Sequence, residues 1–381
     1  MPLDGLTESP ILSLIHRIFE MRRTGQEVLG LHIGEPDFET PLGIRKAAWD
    51  AMNAGETHYV SAQGIPELRE AIARYLARHD HVPATAADVI VLPAKFAIYA
   101  TLLATVSPGD EVVLPNPTYL FEQPIQLVGG KPVFVPLRPD FHLDLDAIEK
   151  SLSPRTRAVM LVSPGNPTGQ VLSPEELAPL LEWARERHFY VVSDETYEAL
   201  VYSGTHTAPA SLPGGRERVI TIGSFSKMFA MTGWRAGFAI APPPILARLV
   251  KVMEHTLTCV PSFIQRACLW GLEHAEPDVV RFRETFARRR ERTLSLLAKV
   301  PGLSVVPPPG AFYVFPSYEA PLPSLEFCRR LLEEEKLALV PGIAFGPQGE
   351  RHLRISYSSP EPALEEGIRR LGSFLGRVGP G

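Results

Sequence analysis

The sequence predicts an α/β fold: a mostly parallel sheet of about seven strands sandwiched between helices, with a smaller α+β domain beside it. Three observations point there. From Val89 onward, short apolar runs alternate with helical stretches, and that alternation produces parallel strands whose crossover helices cover both sheet faces. A chain of 381 residues is too long for one small core, so unequal domains are expected. With 45% hydrophobic and 21% charged residues, the composition is that of a soluble globular protein rather than a disordered or membrane chain.

Residues 13–23 place Leu14, Ile15, Ile18, Phe19 and Arg22 at helical spacing, with Gly25 as a stop signal. This is a helical N-terminal arm. Beyond the turn-rich Gly34-Glu35-Pro36-Asp37, helices fit 44–53 and 66–78, the second with proline in its first turn, and the loop between them carries Tyr59. Strands are expected at 89–92, 111–114, 132–135, 158–162, 190–193, 219–222 and 237–240. After Pro242-Pro243-Pro244 a long helical region runs to about Lys299, and after Pro307-Pro308-Pro309 a shorter α+β segment ends near Arg370. The expected units are 1–40, the arm and part of the small domain; 41–280, the large domain; and 281–381, the C-terminal small domain.

Charge and cysteine content exclude several function classes. A formal charge of −5, with no basic run longer than Arg288-Arg289-Arg290, leaves no electrostatic footprint for nucleic acid. Cys259, Cys268 and Cys328 have neither metal-ligand nor redox spacing, so free thiols in a reducing cytoplasm and no metal site are expected. Residues 1–10 lack an apolar core before a cleavage site, and no run reaches 18 uninterrupted apolar residues. Neither export nor membrane spanning is expected.

Ligands of open α/β sheets bind beyond the carboxyl ends of the strands. Three such ends stand out: Ser163-Pro164-Gly165-Asn166-Pro167-Thr168-Gly169, Ser193-Asp194-Glu195-Thr196-Tyr197 and Ser224-Phe225-Ser226-Lys227. Each has a bland reading. Asn166 alone is a turn asparagine between prolines, Asp194 a helix cap or salt-bridge partner, and Lys227 a solvated surface lysine. Their joint occurrence is what gives them weight.

Residues 224–237, S-F-S-K-M-F-A-M-T-G-W-R-A-G, resemble the lysine signature of the class I/II aminotransferases, which use pyridoxal 5'-phosphate (PLP). The resemblance extends through I-G-E-P-D-F, Y-V-S-A-Q-G-I-P-E-L-R-E, P-N-P-T-Y, S-P-G-N-P-T-G, S-D-E-T-Y and H-L-R-I-S-Y-S, in the family's order and over nearly the whole chain. The likeness is to the prokaryotic aspartate aminotransferase branch. It implies PLP fold type I, with the small domain made from both chain ends.

The resemblance also implies roles, and physical chemistry explains them. Lys227 matches the Schiff-base lysine: PLP needs an amine to hold its aldehyde as an imine, and the same amine, once displaced, shuttles a proton. Asp194 matches the buried carboxylate that keeps the ring nitrogen protonated, and Asn166 and Tyr197 match the donors to the ring hydroxyl oxygen. Tyr119 corresponds to the aromatic residue stacked on the ring. Ser224, Arg235 and the backbone amides of Ala94 and Lys95 correspond to the phosphate site. Relatives carry a glycine just before that helix, whereas Val91-Leu92-Pro93-Ala94-Lys95 has none, so an altered or shifted phosphate cup is expected. Tyr59 resembles the tyrosine that reaches the neighbouring subunit's phosphate, which implies a homodimer. Gly34, Asn166 and Arg354 match the binding groups for the substrate carboxylate. Arg354 lies in an alternating strand that points it away from Leu353, Ile355 and Tyr357, and its forked guanidinium suits a bidentate carboxylate.

The implied activity is ping-pong transamination between an L-amino acid and a 2-oxo acid. A PLP-dependent carbon–sulfur β-lyase shares nearly every cofactor contact and stays open at this point. A PLP-binding regulatory protein would carry a DNA-binding domain for which the N-terminal arm leaves no room. Apart from Lys95, no second cation can be placed for a distal carboxylate, so aspartate, aromatic, alanine and other donors stay open as well.

Overall fold

The computed structural model describes residues 10–379; the reading of the leading segment therefore lies, for residues 1–9, outside the described residues. The arm helix Pro10–Arg23 leads to a two-residue strand, β1 (Leu29–Gly30). The seven expected strands of the main sheet all form: β2 (Val89–Val91), β3 (Glu111–Asn116), β4 (Lys131–Pro136), β5 (Thr156–Val162), β6 (Tyr190–Asp194), β7 (Val219–Ser224) and β8 (Gly237–Ile240). Their spatial order is β2-β8-β7-β6-β5-β3-β4. Every pair from β7 across to β4 is parallel, and β8 alone runs antiparallel to both of its neighbours.

Period-two alternation divides the strand side chains between two helical layers. Ile90, Val112, Leu114 and Val192 face the helices Ala94–Thr105 and Pro243–Glu254, and Val89, Val91, Val113 and Val191 face the helices Pro66–His79, Pro174–Glu186 and Ser262–His274. Both faces are buried, which is why the strands read as continuous apolar runs. The long helical region after Pro244 is three helices, Pro243–Glu254, Ser262–His274 and Glu276–Leu297. It is broken where Thr258 takes a left-handed φ of 64° before Pro261, and again at Ala275, ahead of a proline in the next helix's first turn.

A second core joins both ends of the chain. β9 (Leu303–Ser304) pairs with β11 (Ser317–Tyr318), following β10 (Tyr313–Val314) in sequence. β12 (Leu337–Ala338) pairs in parallel with β1, and β13 (Val340–Pro341) and β10 flank β14 (Leu353–Ser356). Leu31 packs there among Phe282, Phe286, Phe312, Phe327, Ile355, Leu364 and Phe374. Asp37 ties the N-terminal segment to the helix Glu276–Leu297: both carboxylate oxygens accept from Arg289 at 2.8 Å, and Phe38 stacks on Phe282 at 4.2 Å between centroids. The final helix runs Glu361–Val378, longer than the sequence pattern suggested.

Candidate active site

The carboxyl ends of β5, β6 and β7 open on a cavity of about 270 Å³, between the main sheet and the second core. β6 ends in Asp194, whose Oδ1 accepts from Thr196 N at 3.1 Å and from Thr196 Oγ1 at 2.6 Å. Burial holds its carboxyl above the usual carboxylate range against those two bonds. β7 ends in Ser224, the cap of the single-turn helix Phe225–Met228 that carries Lys227. The Lys227 ammonium donates to Gly34 O at 2.6 Å. Burial, assisted by the nearby Arg354 and Arg235 charges and opposed by Glu35 and Asp194, lowers its pKa to about 8.

β14 delivers Arg354 from the opposite wall. Leu353, Ile355 and Tyr357 enter the second core while Arg354 lines the cavity, as period-two alternation requires. Its Nη1 donates to Asn166 Oδ1 at 3.0 Å and its Nη2 to His32 O at 2.7 Å. Asn166 Nδ2 in turn donates to Tyr197 Oη at 3.4 Å. Strand end, turn and distant strand thus form one chain of hydrogen bonds.

The far end of the cavity is built from Ala94, Lys95, Ser224 and Arg235. The helix Ala94–Thr105 begins where expected, with Pro93 in the capping position. Proline forfeits only its own N–H there, so the first-turn amides from Ala94 onward keep no intrahelical partner and stay free for an anion. No glycine precedes Lys95; a Cβ on Gly237 of β8 would lie 2.7 Å from Gly223 O and 3.1 Å from Ala94 N, so glycine there lets β8 pass close to β7 and to the start of this helix. Arg235 has a left-handed φ of 57° and donates to Thr232 O at 2.9 Å. Lys95 Nζ sits 4.6 Å from the centroid of the Tyr119 ring.

Of the residues singled out in the sequence, Gly34, Ala94, Lys95, Tyr119, Asn166, Asp194, Tyr197, Ser224, Lys227, Arg235 and Arg354 all line this cavity. Tyr59 does not; it is 87% exposed. The structure adds Thr196, Ser226 and Tyr313 to the polar lining and Ile98, Leu120 and Val162 to the apolar lining. Thr196 adjoins Asp194 and Ser226 adjoins Lys227, so those two were within reach of the motif reading. Tyr313 follows Ala311-Phe312 in an aromatic run, and nothing local distinguishes it from its core neighbours.

These groups fit PLP. They provide a buried amine of lowered basicity, a buried carboxylate, an amide–phenol donor pair, and backbone amides beside the Arg235 cation for a phosphate. A side chain at Gly34 would strike Tyr313 Oη, so glycine keeps that edge open. Among the described residues no cluster of His, Cys, Asp or Glu could hold a metal ion.

The sequence matches the family described as Aminotransferase class I and II over residues 26–371. It is 40% identical over 372 residues to an aspartate aminotransferase of Pyrococcus abyssi, covering 95% of each chain. It is 38% identical over 384 residues to aromatic-amino-acid aminotransferase 2 of Thermococcus litoralis, covering 98% of each. The solved structure of Thermus thermophilus aspartate aminotransferase with maleate matches at a TM-score of 0.93 and 35% identity, covering 98% of each chain. Fold and site together define a PLP-dependent enzyme of fold type I. The chain belongs to the class I and II aminotransferase family and is a PLP-dependent aminotransferase.

Proposed function

We propose that this aminotransferase uses Lys227 as its catalytic base and Arg354 as its carboxylate clamp, and that its amino donor is an acidic or aromatic L-amino acid. The observation that carries the reading is the placement of Lys227 and Arg354 on opposite walls of one cavity, with Asp194 buried in its lining. When bound, PLP supplies an aldehyde that carries the amino group and a ring that accepts the electrons released at the substrate's α-carbon. Arg354, fixed by Asn166 and His32, holds the α-carboxylate with its guanidinium, assisted by the Gly34 amide. Lys227 Nζ, its pKa lowered to about 8, would take the α-proton and give it back across the amino nitrogen, two bonds away. With the cofactor bound, Asp194 would keep a proton on the ring nitrogen, Asn166 and Tyr197 would donate to the ring oxygen, and Tyr119 would offer its ring to the cofactor's. The Ala94 and Lys95 amides, Ser224 and Arg235 hold the phosphate.

The donor proposal joins the relatives' names, aspartate and aromatic amino acid, to the lining: Lys95 offers a cation, while Ile98, Leu120 and Tyr119 offer an apolar wall. A homodimer belongs to the same reading. It is supported by Tyr59 lying exposed outside its own cavity, near a helix, Leu42–Asn53, that also exposes Leu42, Trp49 and Met52. So do a cytoplasmic location, supported by three free cysteines, and division near residues 40 and 280. Lys227→Ala is expected to lower transamination by about 10⁴-fold with 2-oxoglutarate as acceptor and aspartate, phenylalanine, tyrosine and alanine as donors. Wild-type turnover in that variant, or alanine outrunning every other donor, would overturn the respective parts of the proposal.

A further inference from the structure

Tyr313 is buried where three parts of the site meet. Its hydroxyl lies 2.8 Å from Tyr197 Oη, the Arg354 guanidinium sits 4.5 Å above its ring centroid, and its oxygen occupies the space a side chain at Gly34 would need. The guanidinium is held from a second side by Phe345, at 5.1 Å.

Donor and acceptor types fix the direction of the Asn166 bonds, while either phenol of the Tyr197–Tyr313 pair can donate. Arginine only donates, so Asn166 must turn Oδ1 to Arg354 Nη1, which leaves Nδ2 facing Tyr197. A phenol oxygen accepts two hydrogen bonds and donates one. Both phenols are pushed above their ordinary pKa by burial and so keep their protons at working pH. Among the described residues, the Tyr313 hydroxyl has a single hydrogen-bond partner, Tyr197. A buried hydroxyl directs its proton to an available acceptor. We propose that Tyr313 is a positioning residue: it donates to Tyr197 Oη and, with Asn166 filling the other acceptor position, forces the Tyr197 proton into the cavity. This rests on the reading of Tyr197 as donor to the cofactor's ring oxygen. Besides each other, the ionisable groups acting on the two phenols are Arg354 and Tyr119, with Lys227 held at the neighbouring Gly34 carbonyl.

Hydrogen bonds in series polarise one another, so the donated bond strengthens the one Tyr197 gives. A weaker Tyr197 bond leaves the ring oxygen's negative charge less stabilised. The absorbance of the bound cofactor then changes at higher pH.

The test titrates the absorbance of the substrate-free holoenzyme in wild type, Tyr313→Phe, Tyr197→Phe and the double variant. Tyr313→Phe is expected to raise the pH midpoint by about half to one unit. Tyr197→Phe should raise it further, with the double variant matching Tyr197→Phe alone because the Tyr313 effect passes through Tyr197. A shifted Tyr197→Phe midpoint beside an unshifted Tyr313→Phe midpoint overturns the proposal and leaves the reading of Tyr197 standing, as do additive shifts. An unshifted Tyr197→Phe overturns both. Ring and hydroxyl separate in KM: Tyr313→Phe keeps the ring under Arg354 and should hold the donor KM within about twofold, whereas Tyr313→Leu should raise it by about fivefold or more. A Phe variant with raised KM and unmoved midpoint would make Tyr313 a packing residue only.

Discussion

One short segment serves two unlike cavities. Asp194, Thr196 and Tyr197 line the active site, while Glu198 lines a second cavity of about 550 Å³ with Tyr75, Asp80 and His206. Buried beneath it, Glu195 accepts from Thr221 Oγ1 at 3.2 Å and pairs with His206 Nε2 at 3.0 Å. Both regions bury carboxylates, and in both burial is the largest cause that raises them. In the active site Asp194 is fixed by Thr196 and attracted by Lys95. In the second cavity Asp80 and Glu198 are held above the carboxylate range by burial and by neighbouring carboxylates. Perturbed acidity therefore marks both places and distinguishes neither. What distinguishes the candidate active site is complementarity: an amine, a guanidinium, the start of a helix beside an arginine, and phenols converge on one space.

That contrast breaks most directly under paired substitution. Asp194→Asn is expected to lower kcat/KM by about 10³-fold, and Glu198→Gln, which keeps a partner for Tyr75 Oη, to leave it within about threefold. Equal losses in steady-state assays would erase the difference between the two regions.

The second cavity should instead appear in stability. A carboxyl raised in the folded state binds its proton more tightly folded than unfolded. Its penalty is absent below the ordinary value near pH 4 and grows as pH rises to the raised folded value. Stability should fall between about pH 4 and about pH 8, the span from the ordinary carboxyl value to the raised values of Asp80 and Glu198, about 7 and about 8. Glu198→Gln should flatten that fall by several degrees of Tm, measured by calorimetry at both ends of the range. A wild-type slope in this variant would show that the pair is not the source.

The smallest effect sharpens the active-site side. Because the Lys227 pKa is lowered to about 8, its neutral form accumulates above that pH. In cofactor-free protein, acylation of Lys227 followed by peptide mass analysis should reach half its limiting rate near pH 8, where exposed lysines, titrating near 10.4, still react slowly. Half-maximal labelling at the same pH as the surface lysines would remove the distinction.

Much of this arrangement was legible in the linear sequence because its chemistry sits at strand ends. A parallel strand buried on both faces leaves a continuous apolar run, and the polar residues that stop the run stand out beside it. Asn166, Asp194 and Lys227 were found in that way. Tyr313 was not: it enters from a strand of the second core, and its meaning depends on Tyr197, 116 residues away. The split of the post-Pro244 region into three helices was also missed, since helical periodicity alone does not register the left-handed Thr258.

By itself the sequence determined the α/β class and the seven strands through local periodicity, and it named eleven of the cavity residues through its strand-end motifs and their family resemblance. Only the tertiary structure decided how they work on one another. Asn166 takes its orientation from Arg354, Gly237 supplies the room beside Ala94, and Tyr313 meets Tyr197. Hydrogen-bond direction and close approach are properties of pairs brought together by folding, and no residue shows them alone.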